Sequence, residues 1–190
     1  MMTFRPLLAL PLIAALSACG GTVERFGSGA PVVDQTLPRV SSRYSSLEVR
    51  QVSLPSYAAS DEIASRDAGG AITTNKSTLW ADEPARAMTL ELSRYLGQIT
   101  GAQVAAEPWP FLDRAEAIVD VRIEDMVADA DGSFHITGQY YVAPDSGYGG
   151  RSGLFSLSQP IVGDGAGAIA AARAAATRAL AEQIARGGLR

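Results

Sequence analysis

Residues 117–142 read AIVDVRIEDMVADADGSFHITGQYYV. Val119, Val121 and Ile123 alternate with Asp120, Arg122 and Glu124; after DADG (Asp129–Gly132), Phe134, Ile136, Gly138, Tyr140 and Val142 alternate with His135, Thr137 and Gln139. Successive side chains of a strand point to opposite faces, so each run is apolar on one side and polar on the other. The acidic and glycine residues between them are turn formers. The stretch therefore predicts an antiparallel hairpin with one buried face.

Downstream, Ala143–Gly153 is a long glycine-rich loop, and LFSLSQPIV (Leu154–Val162) returns as a further strand. An alanine-rich helix follows, with Ile169, Ala172, Ala176, Leu180 and Ile184 on its apolar side and Gly187 and Gly188 at its end. Upstream, Pro84 opens a helix, because the first turn has no use for the N–H that proline lacks. Ala85, Met88, Leu92, Tyr95, Leu96 and Ile99 form its stripe, and Gly101 closes it. Gln103–Phe111 reads as a short strand broken by Pro108 and Pro110. Two short strands are expected near Ala71–Asn75 and Thr78–Trp80. An earlier one runs from Leu47 to Pro55, where apolar parity changes from Leu47 and Val49 to Val52 and Leu54, the mark of a bulge. Sequential hairpins favour antiparallel pairing. The expected fold is α+β, a mainly antiparallel sheet with two helices packed on one face.

The chain begins with one basic residue, Arg5, and an apolar run from Pro6 to Leu16. That run is about 11 residues, too short for a bilayer core needing about 20, and reads as an export signal. Leu16-Ser17-Ala18-Cys19 resembles the bacterial lipobox, and Cys19 is the chain's one cysteine. A thiol forms a stable thioether with diacylglycerol, and cleavage before it frees an amine for another acyl chain; two or three chains anchor stably where one does not. The expected organisation is a signal peptide at 1–18, a flexible tether at 19–43 and one α+β periplasmic domain at 44–190. The tether expectation rests on its Gly, Ser, Pro and Thr content; the alternative is an extended segment lying on the domain. Gly20, in place of an aspartate, favours the outer membrane by the sorting rule of enteric-type bacteria.

A net charge of −4 argues against nucleic acid, which needs a basic stripe, and against electrostatic docking to anionic lipid. GDGAGA (Gly163–Ala168) matches a dinucleotide fingerprint, but no second strand carrying an acidic residue follows the helix. DADG opens like a calcium loop, yet the twelfth position is Tyr140 and the sixth is Phe134, where Glu and Gly are needed. The single histidine, His135, has no thiol partners, so no metal, cofactor or catalytic residues are expected. Candidate partner-binding residues are Trp80 and Trp109, which with Phe111 flank proline turns, and Tyr148 and Arg151 in the glycine-rich loop. For the aromatics the alternative is core packing; for the loop it is a merely mobile connection.

The order of motifs resembles a family. The lipobox, then LEVRQVSLPSY (47–57) with ITTN (72–75), then LWADEPARAMTLELSRYL (79–96), is similar to the PqiC-like auxiliary lipoproteins of ABC-type transport systems. The helix entry Trp80-Ala81-Asp82-Glu83-Pro84, the hairpin and the terminal ALAEQIA (179–185) carry the likeness, which covers about Tyr44 to Ala185. It implies work beside an MCE-domain protein that carries lipid between inner and outer membranes, without ATPase activity of its own. A ring-shaped partner favours a homo-oligomer. The reading from another class is an envelope lipoprotein that binds a small ligand or peptidoglycan in a structural role.

Overall fold

The computed structural model describes residues 22–29 and 33–190, so the signal peptide and Cys19 lie outside the described residues. In chain order the elements are β1 (Glu24–Phe26), β2 (Ser46–Val49), β3 (Glu62–Arg66), β4 (Ile72–Trp80), α1 (Pro84–Thr100), β5 (Gln103–Ala106), β6 (Ala117–Ala128), β7 (Ser133–Pro144), β8 (Arg151–Pro160) and α2 (Gly165–Gly187). The long β6–β7 hairpin is the spine. β8 adds to its β7 side, while β2 and β3 share the opposite flank of β6 and lead outward to β5 and to β4 and β1.

The sheet is mixed, which corrects the expectation of mainly antiparallel pairing. β6–β7, β7–β8 and β3–β4 are antiparallel, but β2 runs parallel to both β5 and β6, β1 parallel to β4, and β3 parallel to β6. The reason lies in the connections. β2 does not pair with the next strand in sequence; the chain passes through α1 before β5 and β6 return beside it, and such a crossover brings strands back in the same direction.

β6 buries Ala117, Val119, Val121 and Ile123 on the expected parity, then shifts by one so that Met126 is buried instead. A bulge between Ile123 and Asp125 makes the shift. Gly138 faces it, and a Cβ there would fall on the Arg122 carbonyl oxygen, so no side chain fits. Tyr140 lies against Gly153 of β8 and Gly187 at the end of α2, whose missing side chains make room for its ring. Over this face lie both helices. Met88, Leu92, Tyr95, Leu96 and Ile99 of α1 and Ala176, Leu180 and Ile184 of α2 join Val119, Val121, Phe134 and Ile136 in one core. Gly101 ends α1 in the left-handed conformation, its N–H donating to the Gly97 carbonyl.

Much of the expected tether is packed instead. β1 pairs with β4 through Glu24–Phe26. Val40 is buried, its N–H donates to the Ile99 carbonyl at 3.0 Å, and Arg39 Nη1 donates to the Gln98 carbonyl at 2.8 Å. These are carbonyls that the last turn of α1 leaves without helical partners, so the segment caps the helix end. Arg43 N–H reaches the Leu189 carbonyl at 2.8 Å and ties the same segment to the chain's other end. The two short strands expected at 71–80 are one, β4, and the connection before it contains β3.

Candidate interaction surfaces

The sequence-predicted residues separate into three places. Trp80 is buried at the end of β4, with the Arg173 guanidinium 5.1 Å over its ring. It packs in the core, the alternative its sequence context allowed. Trp109 is half-buried and meets Phe111 edge-on, ring centroids 4.9 Å apart, while its indole N–H donates to the Asp113 carbonyl at 2.6 Å. Beside them Phe111 and Leu112 are exposed, and a recess of about 610 Å³ opens between this turn and Ser45, Gln103 and Glu116. Tyr148 and Arg151 follow at the same open end of the hairpin, where the Asp145 N–H donates to the Glu116 carbonyl at 2.9 Å. β7 and β8 extend further than expected, leaving a turn at residues 145–150; Tyr148 is 87% exposed at its tip and Arg151 opens β8.

β8 is an edge. Among the described residues it pairs only with β7, so alternate N–H and C=O groups of a ten-residue strand face outward. Leu154 on this strand is 73% exposed. Between the strand and α2 runs a groove of about 790 Å³, with Tyr140, Leu157 and Ala179 along its floor and Arg178, Glu182 and Arg186 of α2 among its polar lining. Gln183 Nε2 donates to the Leu154 carbonyl at 2.9 Å, holding helix and strand together across it. A free edge beside a groove of mixed polarity is suited to an added strand, whose backbone supplies the bonds.

The polar groups do not assemble into recognisable chemistry. Ser133, His135 and Asp131 are neighbours in the hairpin turn, with Ser133 Oγ 2.6 Å and Asp131 Oδ2 3.4 Å from His135. Both contacts fall on the same ring nitrogen, Nε2, whereas a nucleophilic relay needs serine and carboxylate on opposite nitrogens. Asp131 instead accepts from the Ser133 N–H and hydroxyl, and those bonds hold its carboxyl below the usual range. Among the described residues no cluster of His, Cys, Asp and Glu is placed to hold a metal ion. Glycines at 163–167 serve as the turn into α2, with Asp164 at the N-cap but making no side-chain cap bond.

Two arginine–carboxylate clusters escaped the sequence reading. On the outer face, one nitrogen of Arg66 donates to both oxygens of Asp125 at 2.7 and 2.8 Å, and another reaches Asp129 at 3.1 Å. The Tyr57 hydroxyl also donates to Asp125 and accepts from the Met126 N–H at 3.0 Å. Burial pushes Asp125 up, but the bonds from Arg66 and Tyr57 outweigh it and hold its carboxyl below the usual value; burial and the Asp125 bond push the Tyr57 hydroxyl up. On the inner face, Arg173 of α2 bonds Glu91 of α1 at 3.0 Å in the core between the helices.

The described residues form a mixed-sheet α+β module with two helices on its inner face and an open edge strand. The chain belongs to the family of ABC-type transport auxiliary lipoprotein components, whose model matches residues 30–185. Two solved structures share the fold. One, described as an uncharacterized protein, is 18% identical, with a TM-score of 0.70 over 87% of this chain and 98% of its own. The other, protein XCC0632 from Xanthomonas campestris, a DUF330 family member, is also 18% identical, with a TM-score of 0.59 over 86% of this chain and 89% of its own. No curated protein sequence matches the chain.

Proposed function

We propose that the chain is a lipid-anchored periplasmic subunit of a lipid-transport system, docked on an MCE-domain protein at the outer membrane and performing no chemistry itself. The observation that carries this reading is the family match along residues 30–185, which makes it a transport auxiliary lipoprotein component. The lipobox at Leu16–Cys19 supports the anchor, and Gly20 at the second mature position supports the outer membrane. Cys19 to Glu24 is five residues, at most about 18 Å at ~3.6 Å each, so docking of β1 keeps the domain close to the bilayer surface rather than on a long leash. The partner must then come to the membrane. The β8 edge with Tyr148 and Arg151 is the docking surface, and a homo-oligomer matches a ring-shaped partner.

The test is co-purification from detergent extracts. Tyr148→Ser with Arg151→Ala should reduce recovery of the MCE protein at least tenfold while thermal unfolding stays within about 0.5 kcal/mol, as surface changes do. Undiminished recovery would remove this surface, and absence of any MCE protein from the wild-type preparation would remove the reading. Cys19→Ser should abolish acyl labelling and leave a precursor; density-gradient fractionation wholly with inner-membrane markers would contradict the outer-membrane assignment.

A further inference from the structure

Where the ends of β1 and β4 meet the two helices, a recess of about 310 Å³ is lined by Phe26, Trp80, Leu90, Glu91, Arg94 and Arg173, among others. Arg173 is 3% exposed and Glu91 is 5% exposed. Arg173 Nη2 bonds Glu91 Oε1, yet Arg173 Nε and Nη1, Arg94 Nε and Glu91 Oε2 are all buried without hydrogen-bond partners. Each buried polar atom left unpaired is unfavourable by about 1–3 kcal/mol, more when charged. Four on residues that line one recess are therefore a costly arrangement, relieved where these side chains turn into the recess toward a bound group.

The charges say what would fill it. Two guanidiniums face one carboxylate; Asp82, also on the rim, is already engaged by Arg86. The recess thus holds one positive charge in excess, partly withdrawn from water, and a neutral molecule would leave that charge uncompensated. Three unpaired donors and one unpaired acceptor call for an acid group with a hydroxyl or amine beside it. Trp80, Phe26 and Leu90 give the recess an apolar wall, and the Trp80 ring holds Arg173 from below.

We propose that this recess is a binding site for an anionic phosphate or carboxylate group bearing a neighbouring hydrogen-bond donor, with Arg173 and Arg94 as its anchors and Glu91 as the acceptor of that donor. The group belongs either to a free small molecule or to a lipid headgroup. Phe26 is seven residues from Cys19, at most about 25 Å at ~3.6 Å each, so headgroups are within reach if Cys19 is the anchor. That clause rests on the function proposed above; the chemistry of the recess does not.

The test uses the full chain in uncharged detergent with Trp109→Phe, which leaves Trp80 as the remaining one of two tryptophans. Its emission is followed during titration with glycerol 3-phosphate or with sub-micellar dihexanoyl phosphatidylglycerol, against glycerol and sodium chloride at matched ionic strength. A saturable change with either anion, weakened at least tenfold by Arg94→Gln at unchanged melting temperature, supports the site. Saturation by glycerol 3-phosphate identifies a free ligand; saturation by the lipid alone identifies a headgroup. No saturation by either probe, the same response to sodium chloride, or unchanged binding in Arg94→Gln would overturn the proposal and leave a recess filled by water only. Loss of the site would leave MCE co-purification untouched, so the two readings fail separately.

Discussion

The molecule contains two arginine–carboxylate clusters built on opposite plans. Arg66 and Asp125 sit on the outer face with about a quarter of each side chain exposed, and Asp129 and Tyr57 complete the bonding on both sides. Arg173 and Glu91 sit between the helices, almost wholly buried, joined by one bond and surrounded by unpaired atoms. The outer cluster fastens the loop after β2 and strand β3 to the bulged hairpin, where Asp125 is the residue next to the register shift. The inner pair has no comparable structural completeness. A fold stabilised by charge alone would have the reverse distribution, with the better-bonded pair in the drier place. The difference is one of bonding: the outer cluster is completed on both sides, while the inner pair leaves buried atoms unpaired.

The largest effect is expected from breaking the inner pair one-sidedly. Arg173→Met leaves Glu91 charged and buried without its bonded partner, and removal of one partner of a buried pair is unfavourable by roughly 3–5 kcal/mol. Replacing both, Arg173→Met with Glu91→Leu, should recover most of that loss, since apolar side chains of similar volume fill a helix interface as well as an ion pair does. Denaturant unfolding of the full chain measures both. A double variant as unstable as the single one would make the pair a structural requirement and erase the contrast with Arg66–Asp125. A stable double variant that no longer responds to anions would sharpen it.

The outer cluster should yield a smaller number. Asp125→Asn keeps shape and removes charge, weakening bonds to Arg66 and Tyr57 that as charge-assisted contacts are each worth about 1.5–3 kcal/mol before solvent exposure reduces them. A loss of about 1–2 kcal/mol is therefore expected. Arg66→Met should resemble it, and the two should be non-additive, because both remove the same contacts. Additive losses would show that the two residues act on separate parts of the fold.

The hairpin was legible because alternation over two strands is a local signal, and α1 because its stripe is regular and its ends are marked by Pro84 and Gly101. Pairing order was not legible. Whether β2 lies beside β3 or beside β6 depends on packing across α1, which no short-range pattern encodes. β1 and β3 are three and five residues long, too short and too polar for periodicity to register. Residues 33–43 read as linker because glycine, serine and proline dominate the surrounding composition, yet Leu37 and Val40 were the apolar residues that cover the end of α1. The inner pair did leave a trace. Glu91 lies three residues after Met88 and four before Tyr95, and Arg173 lies three after Ala170 and seven before Leu180, so both fall on the apolar stripes. A charge on a stripe is the signal that would have found the recess. Trp80 gave a different lesson: of its two readings, partner surface or core, burial at 4% exposure gives core.

The smallest expected effect is the pH dependence of the outer cluster. Asp125 is held below its ordinary value of 3.8 by Arg66 and Tyr57, against the opposing influence of burial. A carboxyl with a lowered native pKa binds protons more readily in the unfolded chain, so acid favours unfolding. Its contribution is complete above the unfolded value, near neutral pH, and is lost as pH falls from about 4 through the still lower native value. With its native pKa lowered, the carboxyl is only partly protonated in the folded chain over this range, whereas Asp125→Asn removes the charge completely; the pH effect is therefore the smaller one. Unfolding measured at pH 6, 4 and 3 should show the wild-type chain losing stability between pH 4 and 3 more steeply than Asp125→Asn. Equal slopes for the two would mean that this carboxyl titrates alike in both states, and the outer cluster would then lose its claim to be the better-bonded of the pair.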